Sequence, residues 1–164
     1  MQRLSSARCN VTDKIVIASD HGGLTTKSAL IASLTAAGIE VEDFGTSNGD
    51  SVDYPDFAAL VASAIARGEV DRGILVCGTG IGIAIAANKF PGVRAAVIHD
   101  EFTAQMSKQH NNANIIALGG RTMEPEQACR LVEIWRTVEY EGGRHQLRLD
   151  KIARLEKEIQ AGRF

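Results

Sequence analysis

Gly73-Ile74-Leu75-Val76-Cys77-Gly78-Thr79-Gly80-Ile81-Gly82 runs from unbroken apolar character straight into a glycine-rich turn. Apolar residues without alternation read as a strand covered on both faces, as in a parallel sheet. The turn leads into a helix of small residues that continues through Ala87. Outward from this unit the same pattern repeats. Lys14–Ser19 is a β-branched strand, followed by the loop Asp20-His21-Gly22-Gly23 and a helix from Leu24 to Ala37 that Gly38 stops. Ile39–Phe44 reads as a strand, Gly45–Asp53 as a polar loop, and Tyr54-Pro55 as the opening of a helix. Further strands are expected at Val93–Ile98 and Asn114–Leu118, and helices at Glu101–Gln109, Glu124–Val138 and Arg144–Gln160.

Five strands alternating with helices predict an α/β fold: a five-stranded parallel sheet between two helical layers, in a Rossmann-like α/β/α sandwich. No linker, repeat or low-complexity block divides the chain. Residues 14–164 are therefore expected to form one domain behind a polar leader, residues 1–13. The 164 residues suffice for a single core.

Composition removes several function classes. Lys and Arg number 18 against 20 Asp and Glu, a net charge of 18 − 20 = −2. No global basic field exists to hold nucleic acid or an anionic membrane, so an anion must be held by a local cluster. No apolar run approaches the roughly 20 residues of a membrane span. The leader has no apolar signal core, and the three cysteines, Cys9, Cys77 and Cys129, form no C-x-x-C pair. These features predict a cytoplasmic protein without a structural zinc site or redox dithiol.

In open α/β sheets, ligands bind beyond the carboxyl ends of the strands. That rule selects Asp20-His21, the loop after Val76, and the segments after Ile98 and Leu118. The glycine loop lets a ligand approach backbone amides closely, and helix-start N–H groups attract an anion. Neither Gly78 nor Gly80 begins G-x-G-x-x-G/A, because Ile83 and Ile85 occupy the last positions, and no P-loop Gly-Lys-Ser/Thr is present. A thiol at a helix start is favoured as thiolate, and Thr79 adds a hydroxyl nearby. A base beside an anion-stabilising amide cluster suits proton abstraction next to a carbonyl. The alternative reading of Cys77 is a small core hydrophobe at a strand end, and both readings stand at this point.

Asp20 beside His21 suits proton transfer or helix capping equally. His110-Asn111-Asn112 lies on a loop between a helix and a strand. His99 and His145 have no evident partner. Arg121 follows Gly119-Gly120, and Arg144 and Arg148 share a helix face, where they suit a phosphate or are plain surface residues.

Ala18-Ser19-Asp20-His21-Gly22-Gly23, Asp53-Tyr54-Pro55, Cys77–Gly82, Ala86-Ala87-Asn88-Lys89, Gln109-His110-Asn111 and Glu141-Gly142-Gly143-Arg144-His145 occur in that order. This ordered set resembles the family of type B ribose-5-phosphate isomerases and galactose-6-phosphate isomerase subunits, from Lys14 to the C-terminus. The resemblance implies an aldose–ketose isomerase of the pentose phosphate pathway, working through a cis-enediolate with no cofactor and no metal. It implies that Cys77 is the base, that Thr79 assists proton movement between the oxygens, and that His110 opens the sugar ring with Asp20 nearby. Substrate contacts are implied for Asp20, His21, Tyr54, Gly78, Thr79, Gly80, Ile81, Gly82 and Asn111, and phosphate contacts for Arg121, Arg144 and Arg148. Family members are homodimers or tetramers whose active site is completed at the dimer interface. Members without the cysteine use a Glu just past the loop; Ile83 stands there, so this chain resembles the cysteine type. The leader is a departure from the family pattern. The set leaves open ribose 5-phosphate, erythrulose 4-phosphate, allose 6-phosphate and galactose 6-phosphate as substrates. It also leaves open a structural subunit of a heteromeric isomerase.

Overall fold

The computed structural model describes residues 14–164; the leader 1–13, including Cys9, lies outside the described residues. Five strands, β1 (Lys14–Ser19), β2 (Glu40–Asp43), β3 (Gly73–Cys77), β4 (Ala95–Val97) and β5 (Ile115–Gly119), form one sheet in the order β2-β1-β3-β5-β4. Every neighbouring pair is parallel. The helices are α1 (Leu24–Ala36), α2 (Tyr54–Ala66), α3 (Ile81–Ala87), α4 (Glu101–Gln109), α5 (Pro125–Thr137) and α6 (Arg144–Gln160). This is the expected α/β sandwich. The two outer strands are shorter than expected, at Glu40–Asp43 and Ala95–Val97. Each has one neighbour, so its ladder ends sooner than that of a central strand.

The buried strands explain the two-sided core. Successive side chains point to opposite faces. Val16, Ala18, Leu75, Ile115 and Ala117 pack with Ala58, Val61 and Ala62 of α2 and Ile83 and Ala84 of α3. Ile15, Ile17, Ile74, Val76, Ile116 and Leu118 pack with Leu30 of α1, Ala104 of α4 and Leu131 and Trp135 of α5. The Trp135 indole N–H donates to the Ala113 carbonyl at 3.0 Å, so this buried ring leaves no polar atom unpaired. Among the described residues, no helix is long and apolar enough to cross a membrane.

Two features position the loops. The chain reverses direction across the sheet between β1 and β3, whose carboxyl ends lie side by side with Ser19 opposite Val76. Such a switch point leaves a crevice between the loops that follow the two strands. Lys27 of α1 is buried, and its ammonium donates to both Asp43 oxygens, at 2.6 and 2.7 Å, and to the Thr46 carbonyl at 2.7 Å. It ties α1 to the loop after β2.

Lys27→Met leaves Asp43 and the Thr46 carbonyl without their cation. Urea unfolding should report a loss of about 1–3 kcal/mol, the cost of leaving the Thr46 carbonyl without its donor and the half-exposed Asp43 without its cation. An unchanged midpoint would show the pair to be energetically neutral.

Candidate active site

The loops after β1, β3 and β5 are joined at the carboxyl edge of the sheet. Asp20 N–H donates to the Val76 carbonyl at 3.1 Å, Gly120 N–H to the Cys77 carbonyl at 2.8 Å, and Arg121 N–H to the Gly78 carbonyl at 3.0 Å. Gly120 is required by contact: a Cβ there would lie 2.5 Å from the Gly22 carbonyl oxygen. This lacing brings Asp20, His21, Cys77, Thr79 and Arg121 into one neighbourhood.

Cys77 ends β3 at the floor of the glycine loop and is buried, 4% exposed as a residue. The Gly80 N–H donates to Sγ at 3.1 Å, and the Ile81 N–H donates to Thr79 Oγ1 at 3.3 Å. Two of the loop's amides are therefore engaged within the loop itself. Gly80 has φ of +80°, which a side chain would oppose. The Tyr54 ring at the start of α2 lies against Gly82, where a Cβ would meet its Cζ at 2.7 Å. Asp20 is buried and caps the short turn His21–Gly23, accepting from the Gly23 N–H at 3.1 Å. His21 Nδ1 accepts from the Val52 N–H at 3.2 Å, which leaves its proton on Nε2 and ties it to the loop after β2. The Arg121 guanidinium reaches over both Gly78 and Gly22.

The remaining candidates lie elsewhere. α4 begins after the carboxyl end of β4 and runs back, so His110, its C-cap, stands at the amino edge just before β5. Arg94, which immediately precedes β4, donates through Nε to the carbonyls of Asn111 and Asn112 and fixes that position. Arg144 and Arg148 begin α6 beside it. The five residues of β5 at about 3.3 Å per residue put roughly 13 Å between the two edges. One chain thus brings Asp20, His21, Tyr54, Cys77, Thr79 and Arg121 together, and separately His110, Asn111, Arg144 and Arg148. It does not bring the two sets together. Within one chain Asp20 follows β1 at the carboxyl edge and His110 precedes β5 at the amino edge.

Around His110 lie two residues that the sequence left without a role. The His145 ring stacks on His110 with centroids 4.1 Å apart and planes 9° apart. Glu141 Oε2 lies 3.4 Å from His145 Nε2 and 3.8 Å from His110 Nε2. Gly142 and Gly143, at φ of +65° and +54°, make the turn that folds Glu141 back over the first turn of α6. The Glu141 N–H donates to the Gln109 carbonyl at 3.1 Å, joining this turn to the end of α4. Burial pushes the His145 imidazole below the ordinary histidine value, and His110 and Arg144 push in the same direction. His110 and His145 are far apart in sequence, so spacing carried no sign of their pairing. His99 is exposed, with its N–H accepted by Thr103 in the capping of α4.

A groove of about 830 Å³ also opens at the amino edge, lined by Lys14, Arg72, Arg94 and Lys108 among others. Its cations are held by the protein: Lys14 by Glu40 and Glu42, Arg94 by backbone carbonyls, Lys108 by Asn112. The convergent nucleophile and hydrogen-bonding groups lie instead at the carboxyl edge.

Residues 15–152 match the model of the Ribose/Galactose Isomerase family. The chain belongs to that family. It is 48% identical over 144 residues to ribose-5-phosphate isomerase B of Escherichia coli, covering 88% of this chain and 97% of that protein. The structure of the Clostridium thermocellum ribose-5-phosphate isomerase B superposes with a TM-score of 0.87 at 51% identity, covering 89% of this chain and 99% of that one. The Mycoplasma genitalium ribose-5-phosphate isomerase B with bound ribulose-5-phosphate gives a TM-score of 0.86 at 45% identity, over 88% and 97% of the two chains.

For this family member, Gly120→Ala should cost about 1–3 kcal/mol in urea unfolding, the usual range for overpacking. Gly49→Ala, with nothing within 4 Å of the added Cβ, should stay within about 0.5 kcal/mol. Equal effects would mean the lacing of the three loops is not sterically tight.

Proposed function

We propose that the chain is a cofactor-independent aldose–ketose isomerase that interconverts ribose 5-phosphate and ribulose 5-phosphate through a cis-enediolate. The observation that carries this reading is the Cys77 thiol on the floor of a loop lined by Asp20, His21, Tyr54 and Arg121, in a member of the ribose/galactose isomerase family.

In this reading the Cys77 thiolate takes the proton from C2 of the open aldose and returns it to C1. Thr79 passes the hydroxyl proton between O1 and O2. The enediolate is held by the loop from Gly78 through Ile81 to Gly82; the Gly80 N–H donates to Sγ and fixes its position in the loop. His21 and Tyr54 fix the sugar hydroxyls, Arg121 faces the same crevice, and His110 opens the furanose ring. Asn111 contacts the opened sugar, and Arg144 and Arg148 hold the phosphate.

His110, Asn111, Arg144 and Arg148 stand at the opposite sheet edge from Cys77, so a complete site needs two chains. The carboxyl edge of one chain faces the amino edge of its partner in a homodimer, and each dimer carries two such sites. Uncovered apolar residues support this pairing. Ile81 and Ile85 beside the glycine loop are 53% and 57% exposed, and Leu147, Ile152 and Ile159 on α6 are 67%, 50% and 64% exposed. Apolar surface of this kind marks an interface.

Cys77→Ala should lower turnover of ribose 5-phosphate by about 10²–10⁴-fold, the usual contribution of a positioned base. Parallel assays on allose 6-phosphate, galactose 6-phosphate and erythrulose 4-phosphate would move the substrate if one of them is turned over faster. A loss below about tenfold would remove Cys77 from the role of base.

Mixing inactive Cys77→Ala and His110→Ala chains tests the shared site. A mixed dimer has one site with both wild-type residues and one with neither. If half the dimers are mixed, about a quarter of wild-type activity should return after refolding together. No recovery would mean that each chain builds its own site.

A further inference from the structure

We propose that His110, Glu141 and His145 form a transition-metal site, and that zinc or a similar ion bound there inhibits the enzyme. The three ligand atoms lie within 4.8 Å of one another. Two imidazole nitrogens and one carboxylate oxygen are the donor set that zinc, cobalt and nickel prefer over magnesium or calcium.

The geometry needs little adjustment. Donors about 2.1 Å from a tetrahedral zinc stand about 3.4 Å from each other. Glu141 Oε2 and His145 Nε2 already have that separation, 3.4 Å, and Oε2 to His110 Nε2 is 3.8 Å. The rings are nearly parallel, so one must turn for both lone pairs to meet a single ion. His110 can do so: its side chain is 34% exposed, whereas that of His145 is 5% exposed and held in place. His145 Nε2 carries a lone pair, since it accepts from Arg144 Nε at 3.4 Å. An ion would replace that exposed guanidinium. Among the described residues, Arg144 and Arg148 are the cations facing the site and Glu141 is the anion, so two arginines oppose the ion and one carboxylate favours it.

Inhibition follows from what the ion takes. It occupies the His110 nitrogen proposed to open the sugar ring and displaces Arg144 from its place near the phosphate. Metal and sugar phosphate should therefore compete. This consequence rests on the function proposed above; the binding itself does not.

The test is calorimetric titration of zinc chloride into the metal-free full-length protein, beside isomerase assays with and without zinc and EDTA. One saturable site per chain is expected, with EDTA-reversible inhibition competitive with ribose 5-phosphate. Glu141→Gln, a surface change, and His145→Phe, which keeps a stacked ring, should each weaken binding by at least about tenfold. Each should also lose sensitivity to zinc relative to its own metal-free rate. Cys77→Ser should still bind. Absence of saturable binding would overturn the site, as would binding that is lost in Cys77→Ser and kept in Glu141→Gln. Should the metal-free protein lack isomerase activity, the functional reading falls and the titration still decides the site.

Discussion

A parallel sheet has two different edges, and that polarity governs this molecule. All strand-to-helix loops leave from the carboxyl edge and all helix-to-strand loops return at the amino edge. The first set carries the Asp20-His21 turn, the Cys77 loop and Arg121. The second carries His110 and Asn111, with the start of α6 beside them. Hydrophobic burial on both sheet faces holds the strands in this arrangement. The side chains at one edge cannot migrate to the other without dismantling the core.

The carboxyl edge is built by close backbone approach rather than by side-chain contacts alone. Gly23, Gly82 and Gly120 lie where a Cβ would come within 2.7 Å or less of a neighbouring atom. The loops after β1, β3 and β5 consequently act as one rigid piece, with Cys77 at its floor. Such preorganisation suits the proton transfer proposed for Cys77, because small displacements of a base cost rate. The amino edge is organised differently. The Gly142-Gly143 turn folds Glu141 onto the histidine pair, and stacking with a single carboxylate holds the group together. The ring of His110 stays partly exposed and free to meet another molecule.

α6 connects the two descriptions. It buries His145 and Leu149 against its own chain and leaves Leu147, Ile152, Leu155 and Ile159 uncovered. In the proposed homodimer the partner would cover this face and bring a second copy of each edge, so that assembly and catalysis become one structural problem.

The alternation of unbroken apolar strands with amphipathic helices was legible in the residues, and so was the sandwich, because periodicity reports which faces are buried. The glycine loop with Cys77 was legible too, since only glycines permit that turn and that approach. The ends of β2 and β4 were less so, because pairing on a single side is decided by the neighbour. The edge that each site residue occupies was legible as well, because strand-to-helix loops leave the carboxyl edge of a parallel sheet and helix-to-strand loops return at the amino edge. The contacts that lace the loops of one edge together were hidden. The His110–His145 stack and its carboxylate were equally hidden, because residues from α4 and α6 meet only when the chain is folded. Local pattern determines elements, and through them the layers. Contacts between distant segments depend on topology, and that is set by how the whole chain buries its apolar faces.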